Sequence, residues 1–305
     1  MLDPQLSSAE DSRMHITAPL LLGFSPTDTS RSVLRAVAEG MGHPGARYID
    51  MAPRATGARG IRPDPAAIPN LGDGDAILFA VPVYAGRVPE SVELYLRAVA
   101  KQRNGTTDRS VPRPTVYPAV IVVVYGNRAY DDALVELYDL VEAAGFAPVA
   151  AAAFVGEHSY SSEKTPVAVG RPNSADLRQA RQFGGEVVQR LFDRPSMSAG
   201  ADPPVLILPG QRPYRERKPR RSEAPSTDIE QCILCGACAE ACPLGIVTVT
   251  DRVETDATEC IYCCACVKEC PNGSRQVSSE HILHVAEWLH RNHAQPQSPE
   301  LLYAW

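Results

Sequence analysis

Cysteine is missing from the first 231 residues of this 305-residue chain and from everything after Cys270; all nine cysteines lie between Cys232 and Cys270. A disulfide framework would need an oxidising compartment and usually a short secreted chain, which argues against one here. Aromatic residues are scarce at 6%, with two tryptophans. Positive charge is also short, 30 Lys and Arg against 36 Asp and Glu, for a net charge of -6. That balance speaks against a nucleic-acid binder. No apolar run approaches the roughly 18 residues of a membrane span. The opening residues, Met1 to His15, are polar and of mixed charge and do not read as a signal peptide. A cytoplasmic, reducing location is expected.

What is present is a duplicated run. Cys232-x2-Cys235-x2-Cys238-x3-Cys242-Pro243 is followed by Cys260-x2-Cys263-x2-Cys266-x3-Cys270-Pro271. Thiolate is a soft, strongly donating ligand for iron, and C-x2-C-x2-C lets three sulfurs wrap one face of a cubane while a fourth arrives from elsewhere. Zinc is typically held by two C-x2-C pairs, with no third cysteine and no Cys-Pro. The run resembles the bacterial two-cluster 4Fe-4S ferredoxins. That resemblance implies crossed ligation, with Cys232, Cys235, Cys238 and Cys270 on one cluster and Cys260, Cys263, Cys266 and Cys242 on the other. Cys264 is left over and reads as a small apolar filler.

The length predicts two domains, one large and one small. From residue 16 to 193 short apolar runs alternate with amphipathic stretches, the pattern of a parallel α/β sheet. The runs are 16–24, 46–51, 76–83, 119–125 and 148–155, with helices expected near 30–40, 90–101, 131–144 and 175–193, the last capped by Ser174. Residues 194–227 hold seven prolines and the basic run Arg212, Arg215, Arg217, Lys218, Arg220 and Arg221, and read as a linker. Within it, Val205 to Leu208 could add an edge strand. Residues 228–279 form the small cysteine-bearing α+β domain. A helix from His281 to His293 is expected in the remainder, 280–305, its four histidines on a solvated face.

Three loops follow different predicted strands. Phe24 to Ser30 offers the hydroxyls of Ser25, Thr27, Thr29 and Ser30 at a helix N-terminus, where free N–H groups suit a phosphate. The second loop, Pro82 to Pro89, contributes Tyr84, Gly86 and Arg87. The third, Tyr125 to Asp131, contributes Gly126, Asn127 and Tyr130. In a strand order of 2-1-3-4-5 these loops meet at one crevice. Two tyrosines bracketing a planar ring, with a phosphate at the helix, describe a flavin mononucleotide (FMN) site. By contrast, Gly40-Met41-Gly42-His43-Pro44-Gly45 matches a dinucleotide fingerprint by letter alone, since it ends a helix instead of opening one.

These residues resemble the flavodoxin family over about 16–193. The resemblance implies that Ser25, Thr27, Thr29 and Ser30 hold the phosphate and that Tyr84, Gly86, Gly126, Asn127 and Tyr130 contact the isoalloxazine, with Pro82 and Arg87 in the same loop. Asp28 stands where such loops usually carry glycine. The whole arrangement is similar to the flavodoxin–ferredoxin fusions of the EFR1 family. It implies FMN and two 4Fe-4S clusters, and an electron-transfer protein served by a redox partner such as a ferredoxin or a reductase. An alternative is an FMN-dependent reductase with a small-molecule substrate at the flavin, lined by Glu157-His158-Ser159-Tyr160; a redox sensor is a third reading. The basic linker is expected either to fold onto the acidic cysteine-bearing segment or to recruit an acidic partner.

Overall fold

The computed structural model of the protein describes residues 19–53, 75–104, 117–192 and 206–304, together with Ile68 and Leu71. The opening fifteen residues, the first part of the 16–24 run and the start of the linker lie outside them. Five parallel strands form the sheet of the first domain: β1 (Leu20–Gly23), β2 (Tyr48–Asp50), β3 (Ile77–Pro82), β4 (Tyr117–Tyr125) and β5 (Phe146–Val155). Helices α1 (Thr29–Gly40), α2 (Glu90–Asn104), α3 (Ala133–Ala143) and α4 (Ser174–Phe192) cover it. The spatial order 2-1-3-4-5 is the doubly wound flavodoxin-like order.

The near-continuous apolar runs follow from burial on both faces. Ile77, Phe79 and Val81 of β3 enter one core with Val92 and Leu96 of α2 and Leu134, Leu137 and Val141 of α3. Leu78 and Ala80 point the other way, into a core with Leu34 and Val37 of α1 and Ala180, Phe183 and Val187 of α4. Gly40 and Gly184 let α1 and α4 touch backbone to backbone, because a Cβ on either would collide with Arg181 or Val37. That packing role, with no phosphate involved, accounts for the first glycine of the false fingerprint. Helix α4 is capped by Asn173, whose Oδ1 accepts from the N–H groups of Ala175 and Asp176, and not by Ser174 as its hydroxyl suggested.

The second domain is a pseudo-duplicate. In the first half α5 (Ala237–Ala241) leads to β7 (Val247–Val249), which pairs with β8 (Val253–Thr255); in the second, α6 (Ala265–Lys268) leads to β9 (Arg275–Gln276), which pairs with β6 (Ser226–Thr227). Equivalent residues lie 28 apart, and their backbones agree: Leu234 and Tyr262 both have φ 53°, Gly245 and Gly273 have φ 67° and 68°.

The chain then returns to the first domain. After α7 (Glu280–Asn292), capped by Ser279, residues Glu300–Tyr303 form β10, antiparallel on the edge of β5 from Ala153 to Ala150. The sheet therefore has six strands, one more than the sequence predicts. The expected edge strand at 205–208 is corrected: the described part, 206–208, is not a strand, and Leu206 and Leu208 pack on the core beneath α2 and α3 instead.

The linker also folds back, but not onto the acidic cysteine-bearing segment as anticipated. Arg212 pairs with Asp139 at 2.6 Å, Arg215 with Asp131 at 3.2 Å, and Arg217 with Glu93 and Glu136 at 2.8 and 3.0 Å. Arg220 meets Glu90 at 3.0 Å and reaches the small domain at Glu259, at 3.9 Å from its carboxylate, while Glu223 accepts from Ser279 at 2.7 Å. At the centre of this clasp Glu136, 2% exposed, takes Arg87 at 2.7 Å while Tyr214 lies under the Arg87 guanidinium. Replacing Glu136 with alanine strands the buried Arg87 charge, so Glu136→Ala should cost about 3–5 kcal/mol in a denaturant melt of the full chain; a loss within 0.5 kcal/mol, the ordinary range of a surface substitution, would show that the clasp is not a stabilising element.

Candidate functional site

Four loops meet at the carboxyl edge of the sheet. Asp28 ends the first in the left-handed region at φ 62°, which explains why glycine suits this position and why Asp, whose short side chain tolerates that backbone, can replace it. Its side chain is 65% exposed and pairs with Arg31 at 3.1 Å, so the carboxylate is turned to solvent. Ser25 and Ser30 are buried, with Thr27 and Thr29 partly so. Ser25 Oγ accepts the N–H of Arg31 at 3.0 Å. Ser30 Oγ is completely buried with no partner among the described residues, and Arg31 Nε is likewise unpaired. Buried polar atoms are rarely left so; both belong to the first turn of a helix.

The second loop is a tight hairpin. Tyr84 and Arg87 exchange both backbone hydrogen bonds across Ala85 and Gly86, whose φ of 52° and 79° fit a type I′ turn. Pro82 is the last residue of β3. Gly86 abuts Asp131 of the next loop. In the third loop a Cβ on Gly126 would collide with the His158 ring, which packs there.

Three side chains expected at the cofactor, two of them at the ring, are engaged elsewhere. Arg87 is committed to Glu136 and to the carbonyl of Arg215. Asn127, 1% exposed, donates from Nδ2 to the carbonyls of His293 and Gln295 and accepts from the N–H of Gln297. Tyr130 stacks edge-on against Tyr125 and hydrogen-bonds Glu300. Asn127 and Tyr130 thus hold the returning C-terminal segment, a role invisible in sequence because their partners lie about 170 residues away.

The fourth loop, which the alternative reductase reading places along a substrate pocket, forms an interface. Glu157 pairs with Lys268 of the small domain at 2.7 Å. Tyr160 stacks edge-on with both His158 and Tyr262, at 4.9 and 6.0 Å between ring centroids. Ile261 packs into the core of the first domain beside Tyr84. The Tyr84 hydroxyl is held well above its usual pKa by burial and then by the nearby Cys263 and Cys264 sulfurs. The Cys260–Cys266 loop therefore sits directly on the crevice.

The thiols divide into two groups. Cys232, Cys235, Cys238 and Cys270 surround one concavity with Ile233, Leu234 and Arg275. Cys260, Cys263 and Cys266 lie within electrostatic reach of Cys242. No disulfide joins any of them. Among the described residues no three His, Cys, Asp or Glu side chains converge as a single ion requires. A cubane, unlike a lone ion, spaces its thiolates apart. Burial pushes the Cys263 thiol well above its usual pKa and raises Cys238 and Cys260. Such groups ionise against a cation, as coordination to iron provides. Cys264 is the mate of Gly236, both left-handed caps; its sulfur donates to the Tyr262 carbonyl at 3.5 Å, and burial lifts its pKa to about 12.

Comparison with known proteins bears on both halves. Residues 224–271 match the family described as the 4Fe-4S dicluster domain. Over its first domain the chain is similar to an archaeal flavodoxin at 10% identity and TM-score 0.37, covering 57% of this chain and 98% of that one. It is also similar to a WrbA-like flavodoxin from Agrobacterium tumefaciens (17%, TM-score 0.35, covering 57% and 96%) and to the metal-soaked Flv1 flavodiiron core from Synechocystis sp. PCC6803 (15%, TM-score 0.38, covering 58% and 36%). The strand order, not these low scores, carries the fold. No curated protein matches the chain, and among the described residues no helix is long and apolar enough to cross a membrane.

His158 gives the interface a pH response. Burial, aided by Lys268 and Arg128, lowers its pKa from 6.5 to about 4. The folded state thus keeps it neutral where the unfolded chain takes a proton, so its contribution is present above 6.5 and lost as pH falls towards about 4. In melts across that window the native chain should lose stability faster than His158→Asn; parallel curves would show that this group is not buried in solution.

Proposed function

We propose that this chain is an electron-transfer iron–sulfur flavoprotein, binding FMN at the carboxyl edge of the sheet and two 4Fe-4S clusters in the small domain. The observation that carries this reading is the seating of the Cys260–Cys266 loop against Tyr84 and the 157–160 loop. It brings one set of thiols to the crevice where the flavin would lie.

The residues fit these groups. Ser30 Oγ, unpartnered at a helix N-terminus, with Ser25, Thr27 and Thr29 around it, suits a phosphate ester. The ring face is left to Pro82, Tyr84, Gly86 and Gly126, with His158 beside them. Cys260, Cys263, Cys266 and Cys242 would hold the crevice-side cluster, and Cys232, Cys235, Cys238 and Cys270 the outer one. FMN exchanges one or two electrons and each cluster one, so the set converts between the two currencies. The protein's own part is to bring the groups close, keep water from the joint with Tyr160, Tyr262 and Ile261, and expose Cys235 at the outer end. A protein partner, a reductase or a small carrier, would dock there; the interface role of His158 and Tyr160 favours this over turnover of a small substrate at that loop.

Anaerobically prepared protein should hold about eight irons, and Cys242→Ala should abolish the spectroscopic signal of the Cys260-Cys263-Cys266 cluster. Loss of the other cluster alone would refute the crossed assignment. Ser30→Ala removes one hydrogen bond to a charged group, about 1.5–3 kcal/mol, and should weaken FMN on the order of 10- to 100-fold while leaving riboflavin unchanged. Equal affinity of the unaltered chain for riboflavin and FMN would overturn the phosphate site.

A further inference from the structure

Among the described residues of the small domain, one pair of equivalent buried positions differs in charge. Val247 opens β7 and packs in the apolar centre beside Cys238, Cys242 and Cys266. Its mate 28 residues on, opening β9, is Arg275, 3% exposed. The guanidinium donates from Nη1 to Thr227 Oγ1 at 2.8 Å, and from Nη2 to Thr255 Oγ1 at 3.1 Å and Cys266 Sγ at 3.5 Å. Its Nε has no partner, and no carboxylate lies within 4 Å of it among the described residues. Two hydroxyls and a sulfur do not neutralise a buried cation, and an uncompensated one costs several kcal/mol. The missing negative charge has to come from something that the thiols hold.

We propose that Arg275 is the resident countercation of the crevice-side cluster, and that by donating to the Cys266 sulfur it sets that cluster's reduction potential above that of its outer neighbour. This rests on the cluster reading above. Reduction adds one electron, and so one unit of negative charge, to a group whose thiolate ligand accepts a hydrogen bond from the guanidinium. The added charge is stabilised, so the potential rises; charge and hydrogen bonds to the sulfurs are among the factors that set cluster potentials. At the equivalent place in the other half the side chain is valine, which supplies no charge. Arg275 also borders the outer concavity, where its backbone N–H donates to Cys270 Sγ at 3.4 Å, but the sulfur contact of the guanidinium itself is Cys266, so the pseudo-symmetric pair is made unequal in favour of the crevice-side cluster.

The test is a redox titration of the full chain with a chemical one-electron reductant, followed by electron paramagnetic resonance, in the native protein, Arg275→Lys and Arg275→Gln. In Arg275→Gln the reduction equilibrium of the Cys266 cluster should fall about tenfold or more, about 59 mV for one electron, and the outer cluster should move less. Arg275→Lys, which keeps the charge, should retain most of the native value. Unshifted potentials in Arg275→Gln with iron content intact would overturn the proposal. If the Gln variant loads no iron while the Lys variant does, a required charge is confirmed; if neither loads, Arg275 is a packing residue and the proposal fails. Native protein without iron would sink the underlying cluster reading instead, an outcome read directly from metal analysis.

Discussion

The pairing of Glu300–Tyr303 with the edge of β5 is the contact on which the rest of the arrangement depends. The small domain has little core of its own, mostly the apolar side chains around Cys238, Cys242, Val247 and Cys266 and a second group around Tyr262, Cys264 and Ile282. A segment of that size cannot fix its own orientation against a neighbour. It is held because both ends are tied to the sheet domain, by the arginine clasp on α2 and α3 at one end and by β10 with the Asn127 contacts at the other. Two tethers turn a flexible linkage into a fixed joint, and the joint brings the Cys260–Cys266 loop to the crevice.

Much of this was legible in sequence because the governing patterns are local. The apolar runs predicted all five parallel strands, since strands buried on both faces must be continuously apolar, and the cysteine spacing marked the small domain and its duplication. The returning strand was not legible: Glu300-Leu301-Leu302-Tyr303 is short and lies next to a polar stretch, and its partner is 150 residues earlier. The same distance hid the roles of Asn127, Tyr130 and Arg87. Each has the side chain of a ligand-contacting residue, and each is spent on a segment far along the chain. Arg275 could be found only by laying the two halves over one another in space.

Backbone strain marks where the sheet domain and the cysteine loops do their work. Among the described residues, the eight non-glycine residues with positive φ fall in the loops at the carboxyl edge or between cysteines: Asp28, Ala85, Asn127, Asp131 and Ala168 in the first group, Leu234, Tyr262 and Cys264 in the second. Left-handed backbone costs a non-glycine residue of order 1–3 kcal/mol, so its concentration there means that packing elsewhere supports these shapes. The cores on both faces of the sheet supply that support.

The return of the chain has a consequence for biosynthesis. Because β10 follows the cysteine-rich segment, a nascent chain presents a sheet whose β5 edge stays bare until the small domain has emerged. An unpaired edge with a run of alanines, Ala150 to Ala153, is an invitation to pair with a neighbouring copy. The pairing of β10 therefore covers an edge that the sheet domain alone leaves open.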